Sequence, residues 1–386
     1  MATLAGGIDI HKERCAVFMT HTGIDEPDEE LQGFLDRFNK EFRRIPSTTE
    51  GVTRMVTSLR EHEVWFLMEN STKTHDIYWI LKGLGCNAIV AHSTDLFRIT
   101  KSKGKNDDKD ARELAGYMRR KLLGEVEFAE SFIPSPDWMR RRELCRFLAD
   151  NRNQLSVHKR QVRMHLLLHG QSTSKQYEDI SCKAALDELL KMNDQVLSLH
   201  VASMKQLNKT ADFTKKIIES EFMHNRMFEI IYSIPGFGLH SAAYLTSQII
   251  DVSRYPDARN FSNSFGVRPR QSDSADSLKD MPISYRGDSL ARRLAYQATF
   301  VHVTHVEDSF IKEKYRRLRS NGKPHKVAIV ACTNSMLMLI YKLLVRNERY
   351  KDVSATTLAE ARVVADTMDL DKDYPVPEEV EDVSAA

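Results

Sequence analysis

The sequence predicts an α/β domain followed by an all-α remainder. Three observations carry that prediction. Over residues 1–125 short apolar runs alternate with helix-like segments. Over 137–230 glycine and proline nearly vanish and Leu, Lys, Arg, Gln and Met dominate. Residues 231–347 again read as mainly helical, ahead of an acidic tail at 366–386. A chain of 386 residues has room for two or three domains. At 41% hydrophobic and 28% charged it can bury a core.

Each element has its own warrant. Gly6-Gly-Ile-Asp-Ile10 and Cys15-Ala-Val-Phe-Met-Thr20 read as two strands joined by a tight connection. The acidic stretch 25–30 is expected to be an exposed loop, and Phe42 to Pro46 a third strand. Ser47-Thr-Thr-Glu50 has the capping-box pattern, opening a helix over 50–60. Val64-Trp-Phe-Leu-Met68 is the continuous apolar run of a buried strand. A helix over 76–84, ended by Gly85, and a strand over 87–91 follow. Asp107 and Asp110 open a helix whose apolar stripe is Ala111, Leu114, Ala115 and Met118. The order implies a mixed sheet with helices on its faces. Leu148, Leu155 and Val162 recur every seven residues, but Asn151, His158 and His165 occupy companion positions. That pattern fits a long helical hairpin or a weak coiled coil, with an oligomer contact as one use. Ile234-Pro-Gly-Phe-Gly238 resembles a helix-hairpin-helix turn. Gly236 and Gly238 permit the tight turn, and backbone N–H groups there can hold a DNA phosphate. A plain helix–helix corner fits the same residues.

The net charge of +2 hides an asymmetry: from Asp366 onward the chain carries −7, so the rest carries +9. A basic body is compatible with a nucleic-acid partner, though a soluble protein with a solvated tail fits the charge equally well. Five scattered cysteines form no zinc or disulfide pattern. The N-terminus lacks the basic start and apolar length of a signal peptide. The run Val327 to Leu344 is interrupted by Thr333, Asn334, Ser335 and Lys342, so a buried helix is expected rather than a membrane span. These features predict a cytoplasmic protein.

The chemistry-bearing residues are carboxylates. Cleaving a phosphodiester with a pair of Mg²⁺ ions needs several acidic oxygens converging on one point. Asp9 sits in a strand, where an acid is disfavoured. Glu69 ends a strand, and open α/β sheets place sites at such ends. Asp107 and Asp110 are three apart and can face one side of a helix. Periodicity alone leaves Asp108 and Asp110 as alternatives, and first-turn acids also favour a helix for dipole reasons. Ser274 shares a polar loop with Ser272 and Ser277, near Arg268, Arg270, Arg286, Arg292 and Arg293, which can hold phosphates. The loop itself does not single it out. His165 and His169 have metal-ligand spacing on one helical face, but without a third ligand a surface or interface role is favoured.

Taken together these residues resemble a known family over nearly the whole chain. Gly7-Ile-Asp-Ile-His-Lys12, Glu69-Asn-Ser-Thr-Lys-Thr-His-Asp-Ile-Tyr-Trp79 and Lys105-Asn-Asp-Asp-Lys-Asp-Ala111 are similar to the acidic motifs of the DEDD insertion-sequence transposases. This is the insertion-sequence one-hundred-ten group, related to Piv-type DNA invertases. Ile234-Pro-Gly-Phe-Gly, Phe265-Gly-Val-Arg-Pro269, Ser274 and Arg286-Gly-Asp-Ser-Leu290 resemble its C-terminal region. The chain departs from the usual Ser-Gly with Ser274-Ala275. The resemblance implies an RNase H-like, RuvC-like first domain with a metal bound by Asp9, Glu69, Asp107 and Asp110. The ion would be Mg²⁺, two ions in number, with Mn²⁺ as substitute. It selects Asp110 over Asp108. It also implies a nucleophilic Ser274 forming a covalent DNA link. Of the arginines around that loop, Arg270 and Arg286 are the candidates for the DNA backbone. The implied partners are double-stranded DNA, a structured noncoding bridge RNA, and further copies of the chain in a homodimer or homotetramer. The setting would be a prokaryotic nucleoid. The rivals are a plain RuvC-like nuclease, which leaves Ser274 without a task, and a non-enzymatic nucleic-acid-binding assembly protein.

Overall fold

The computed structural model describes residues 2–23, 26–92, 107–174, 177–268, 283–285, 287–351, 361–363 and 365. The chain divides into two compact units, Met1–Ser135 and Pro136–Ala386, each described by itself.

The first unit is built on a five-stranded sheet in the order β3-β2-β1-β4-β5. The strands are β1 (Thr3–Ile10), β2 (Arg14–His21), β3 (Arg44–Pro46), β4 (Glu63–Glu69) and β5 (Asn87–Ala91). The β1–β2 and β2–β3 pairs are antiparallel, whereas β1–β4 and β4–β5 are parallel. Alternation along β1 explains its two coats. Leu4, Ile8 and Ile10 face one side, where Leu35 and Phe38 of α1 (Glu29–Glu41), Val52 and Met55 of α2 (Thr49–Thr57), and Ile77 and Leu81 of α3 (Thr74–Gly83) pack with them. Ala5 faces the other side, joining Leu67 and Ile89 beneath Leu114 and Met118 of α4 (Asp107–Leu122). Gly7 is next in that row. A Cβ on it would collide with the backbone of Ala111 and Ala115, so its missing side chain is what lets α4 lie directly on β1.

Local details of the first unit differ from expectation. The acidic stretch is not all loop: Asp28 caps α1, accepting from Leu31 N at 2.8 Å, and Glu29 and Glu30 form its first turn. The cap of α2 is Thr48, whose hydroxyl accepts from Gly51 N, while Ser47 Oγ donates to the Lys12 carbonyl at 2.8 Å. The third strand begins at Arg44, because Phe42 is used as the C-cap of α1. Helix α3 starts at Thr74, two residues early.

The second unit is helical. It comprises α5 (Pro136–Leu168), α6 (Lys183–Lys191), α7 (Gln195–Phe222), α8 (Arg226–Tyr232), α9 (Leu239–Ile249), α10 (Ala258–Ser264), α11 (Ser289–His305), α12 (Phe310–Ser320) and α13 (His325–Arg346). Helices α5 and α7 form a hairpin in which Val162 and Leu166 pack with Leu197, Val201 and Met204. Leu148, earlier on the same stripe, joins Ile218 and Phe222 in the larger core. His165 is partly buried. Its Nε2 pairs with Asp194, the residue that caps α7, at 3.1 Å, and its ring lies 4.4 Å from His169. Helix α13 is long and apolar enough to cross a membrane by length and composition. Here Ala328, Ile329, Cys332, Met336, Leu337 and Ile340 are buried along it, and all but Ala328 belong to the large core.

Candidate active site

The convergence begins at the carboxyl ends of two parallel strands. The β1–β4 register pairs Ile8 with Met68, so Asp9 and Glu69 are the next residues along and project to the same face of the sheet. That is the face covered by α4. The turn after Glu69 is fixed by Thr74, whose hydroxyl donates to the Glu69 carbonyl at 2.7 Å and accepts from Ser71 N at 2.8 Å. Because Gly7 brings α4 against β1, the first turn of that helix arrives beside Asp9. His11 Nε2 lies 3.1 Å from Asp9 Oδ2 and 3.3 Å from Asp107 Oδ1. One ligand atom from each of Asp9, His11 and Asp107 lies within 4.8 Å of the other two. Glu69 borders this group from the neighbouring strand end rather than belonging to it. A groove of about 400 Å³ opens alongside, between His11, Arg14, Arg44 and Asp107.

The electrostatics separate the two flanks of α4. The Asp9 carboxyl is pushed above the usual range, chiefly by loss of water, and further by the carboxylates of Asp110 and Asp107; His11 opposes the shift. Asp110 therefore shares the neighbourhood of Asp9. Asp108 lies on the other flank and pairs with Arg44, the first residue of β3, and with Arg43 just before it. Its hydrogen bond from Arg43 holds it below the usual carboxylate range. Two carboxylates and an imidazole so placed suit a cation that accepts oxygen donors and tolerates nitrogen. The strained ionisation of Asp9 is the kind a bound cation relieves.

In the second unit the turn at Gly236 is closely packed. Gly236 and Gly238 are both buried. Gly236 has φ +96°, and a Cβ there would strike the Ala298 carbonyl of α11. His302 Nδ1 donates to the Pro235 carbonyl at 3.0 Å. The turn serves as a packed helix–helix corner, because its glycines are used for close approach between helices. Ser274, Arg270 and Arg286 lie outside the described residues, as does the acidic tail. The base from which the serine segment springs is described. Ser284 N donates to the Arg268 carbonyl at 2.8 Å, closing a neck. Beside it Asp288 caps α11 through Ala291 N (2.8 Å) and accepts from Tyr244 Oη (2.9 Å) and Arg146 Nη2 (2.8 Å).

Residues 228–316 match the family model described as "Transposase IS116/IS110/IS902 family". That match and the relatives below support an insertion-sequence transposase of this family. It is 27% identical over 147 residues to an uncharacterised 42 kDa protein of insertion element IS900 from Mycobacterium paratuberculosis, covering 38% of this chain and 36% of that one. It is 21% identical over 306 residues to y4qE of Sinorhizobium fredii, named as a candidate transposase, covering 77% and 71%. It is 35% identical over 77 residues to the transposase of IS1328 from Yersinia enterocolitica, covering 20% and 23%. The first of these alignments thus spans about a third of the relative's own length.

Sequence reasoning missed His11. The signal was available: in an extended strand, residues two apart share a face, and His11 follows Asp9 by two.

Proposed function

We propose that this chain cuts and rejoins DNA as the transposase of an insertion sequence. In this reading a divalent cation, Mg²⁺ or Mn²⁺, is held by Asp9, Glu69, Asp107 and Asp110, with Ser274 as the nucleophile of strand transfer. The observation that carries it is the arrival of Asp107 and Asp110 beside Asp9 at the carboxyl end of β1. The strand order 3-2-1-4-5, with an antiparallel half and a parallel half, supports an RNase H-like, RuvC-like reading of the first unit. The family match over 228–316 supports a transposase reading of the second.

The chain's own groups have separable tasks in this scheme. Asp9 and Asp107 gather negative charge at one point. His11 spans them, and the Arg14 and Arg44 side of the groove offers positive charge to a phosphodiester. A bound divalent cation supplies Lewis-acid polarisation of the phosphate and lowers the pKa of an attacking hydroxyl. Ser274 needs such activation, since a serine hydroxyl is a weak nucleophile at neutral pH. Double-stranded DNA is the substrate, a bridge RNA selects its sequence, and assembly into a homodimer or homotetramer brings element and target together.

The test is a pair of variants on the full chain. Asp107→Asn and Glu69→Gln should abolish Mg²⁺-dependent strand cleavage and leave the fold intact. Chelator-insensitive cleavage by these variants at the wild-type rate removes the metal assignment. Protein expressed with its flanking DNA should co-purify with a discrete RNA, and RNA-free protein that recombines DNA unaided would reject guidance by RNA.

A further inference from the structure

The tight connection after β1 carries a side chain that the four-carboxylate scheme leaves out of its ligand set. His11 follows Ile10, the last residue of β1. Its backbone is tied down, because His11 N donates to the Arg14 carbonyl at 3.0 Å across the turn into β2. Nε2 lies 3.1 Å from Asp9 Oδ2 and 3.3 Å from Asp107 Oδ1. Those two carboxylates are the ring's only polar side-chain partners among the described residues. The side chain is half exposed, so burial is not what places it. It is placed by the two acids it shares.

Two ligand atoms on one small divalent ion, each about 2.0–2.2 Å from it, stand roughly 3 Å apart. The spacings at His11 match that, and Asp9, His11 and Asp107 each bring one ligand atom within 4.8 Å of the others. Hydrogen bonds have similar lengths, but a single Nε2–H would have to be divided between two carboxylates. A cation where the three meet serves all of them at once, and it offsets the repulsion that Asp107 and Asp110 exert on Asp9. Nitrogen also changes which ion is favoured. Mg²⁺ takes oxygen ligands in a strict octahedron and gives up water reluctantly. Imidazole suits the first-row transition ions, the series that begins with Mn²⁺. We propose that His11 is a metal ligand through Nε2, alongside Asp9 and Asp107, and that it makes this centre select Mn²⁺ over Mg²⁺. This rests on the reading of the group as a metal centre. It deepens that reading by naming a ligand outside the four carboxylates and the ion that this ligand favours.

The experiment uses the full chain with Mn²⁺ below one equivalent, read by pulsed electron paramagnetic resonance, which detects a nitrogen nucleus bonded to the ion. Wild type should show imidazole nitrogen coupling, and His11→Ala should lose it. Calorimetric titration with Mn²⁺ and with Mg²⁺ is the second readout. In His11→Ala the Mn²⁺ affinity should fall at least about tenfold, the scale of losing even an outer partner of a ligand. The Mg²⁺ affinity should fall by less, so the preference for Mn²⁺ narrows. His11→Gln, which keeps a polar side chain but no imidazole, should also lack the coupling. Circular dichroism and thermal unfolding check that both variants keep the fold. Wild type that binds Mn²⁺ without nitrogen coupling overturns the proposal, as does coupling that persists in His11→Ala, or an equal fall for the two ions. Asp107→Asn separates the two readings. Mn²⁺ binding that this variant loses, with no nitrogen coupling in wild type, removes His11 and keeps the carboxylate centre. A wild type that binds no Mn²⁺ removes the centre itself, and the proposal with it.

Discussion

Two histidines of the second unit set a pH limit on its stability. His240 is buried, donating Nε2–H to the Cys145 carbonyl at 2.8 Å while Nδ1 faces Arg152 at 3.4 Å. Burial first, and then Arg152, pushes its pKa down to about 3. His302 donates from Nδ1 to Pro235, accepts at Nε2 from Ser309 Oγ at 3.0 Å, and is pushed by burial down to about 4. Below pH ~6.5 the unfolded chain takes up these protons and the folded one does not. The stabilisation is therefore complete above pH ~6.5 and is lost as pH falls toward 4 and then 3. Each histidine contributes up to about 1.4 kcal/mol per pH unit in that window. Denaturant unfolding at pH 6.5 and 5 should show the drop, and a flat profile there would mean these rings are not neutral in the fold. At the same scale, Asp9→Asn should remove Mn²⁺ binding, read by calorimetry, while holding or raising the melting temperature, because it deletes a disfavoured, half-buried charge.

Elements place what residues supply. The contact of α4 on β1 through Gly7 sets the separation between Asp9 and Asp107. Gly7→Ala should cost about 1–3 kcal/mol through overpacking, and should weaken metal binding although no ligand is touched. Calorimetric titration beside thermal unfolding checks both, and unimpaired metal binding would show that α4 is not held by this contact. The sheet was legible because its strands announce themselves: the apolar run at β4 and the Gly-Ile-Asp-Ile of β1 leave little choice. Helix α1 was obscured by its acidic start, although Leu31, Phe34, Leu35 and Phe38 carry a helical spacing and pack on the core. Asp108 against Asp110 was not legible from periodicity, since both flank the apolar stripe. The difference is made by Arg44, the first residue of β3, and Arg43 just before it, some sixty residues away, and no local pattern encodes it. The turn at Gly236 was ambiguous for a related reason: glycine serves equally well to approach a phosphate and to approach another helix.

At the scale of the molecule, the proposed reaction divides its labour between a carboxylate centre in the first unit and a serine segment in the second. Ser274→Ala should still bind DNA and any guide RNA but form no covalent adduct, whereas Ser272→Ala and Ser277→Ala should behave almost as wild type. Trapping protein on labelled DNA under denaturing conditions, followed by mapping of the linked peptide, decides this. An adduct at Ser272 would show that the serine was assigned to the wrong position. A carboxylate-dependent nick with no adduct in wild type would favour the plain nuclease. Stability of the second unit need not follow these substitutions, because the neck between Arg268 and Ser284 and the Asp288 cap are closed by other groups.

The parallel pairing of β1 with β4 has a consequence for the newborn chain. Strand β1 is made first, yet its neighbour β4 and its covering helix α4 come much later. Roughly a hundred residues separate Asp9 from Asp107, which at about 5–20 residues per second is on the order of 5–20 s of translation. Throughout that interval a ribosome-bound fragment owns Asp9, and later Glu69, but lacks the helix that carries Asp107 and Asp110. On the proposed reading, a premature stop before α4 would yield a fragment that lacks Asp107 and Asp110 and cannot assemble the metal site.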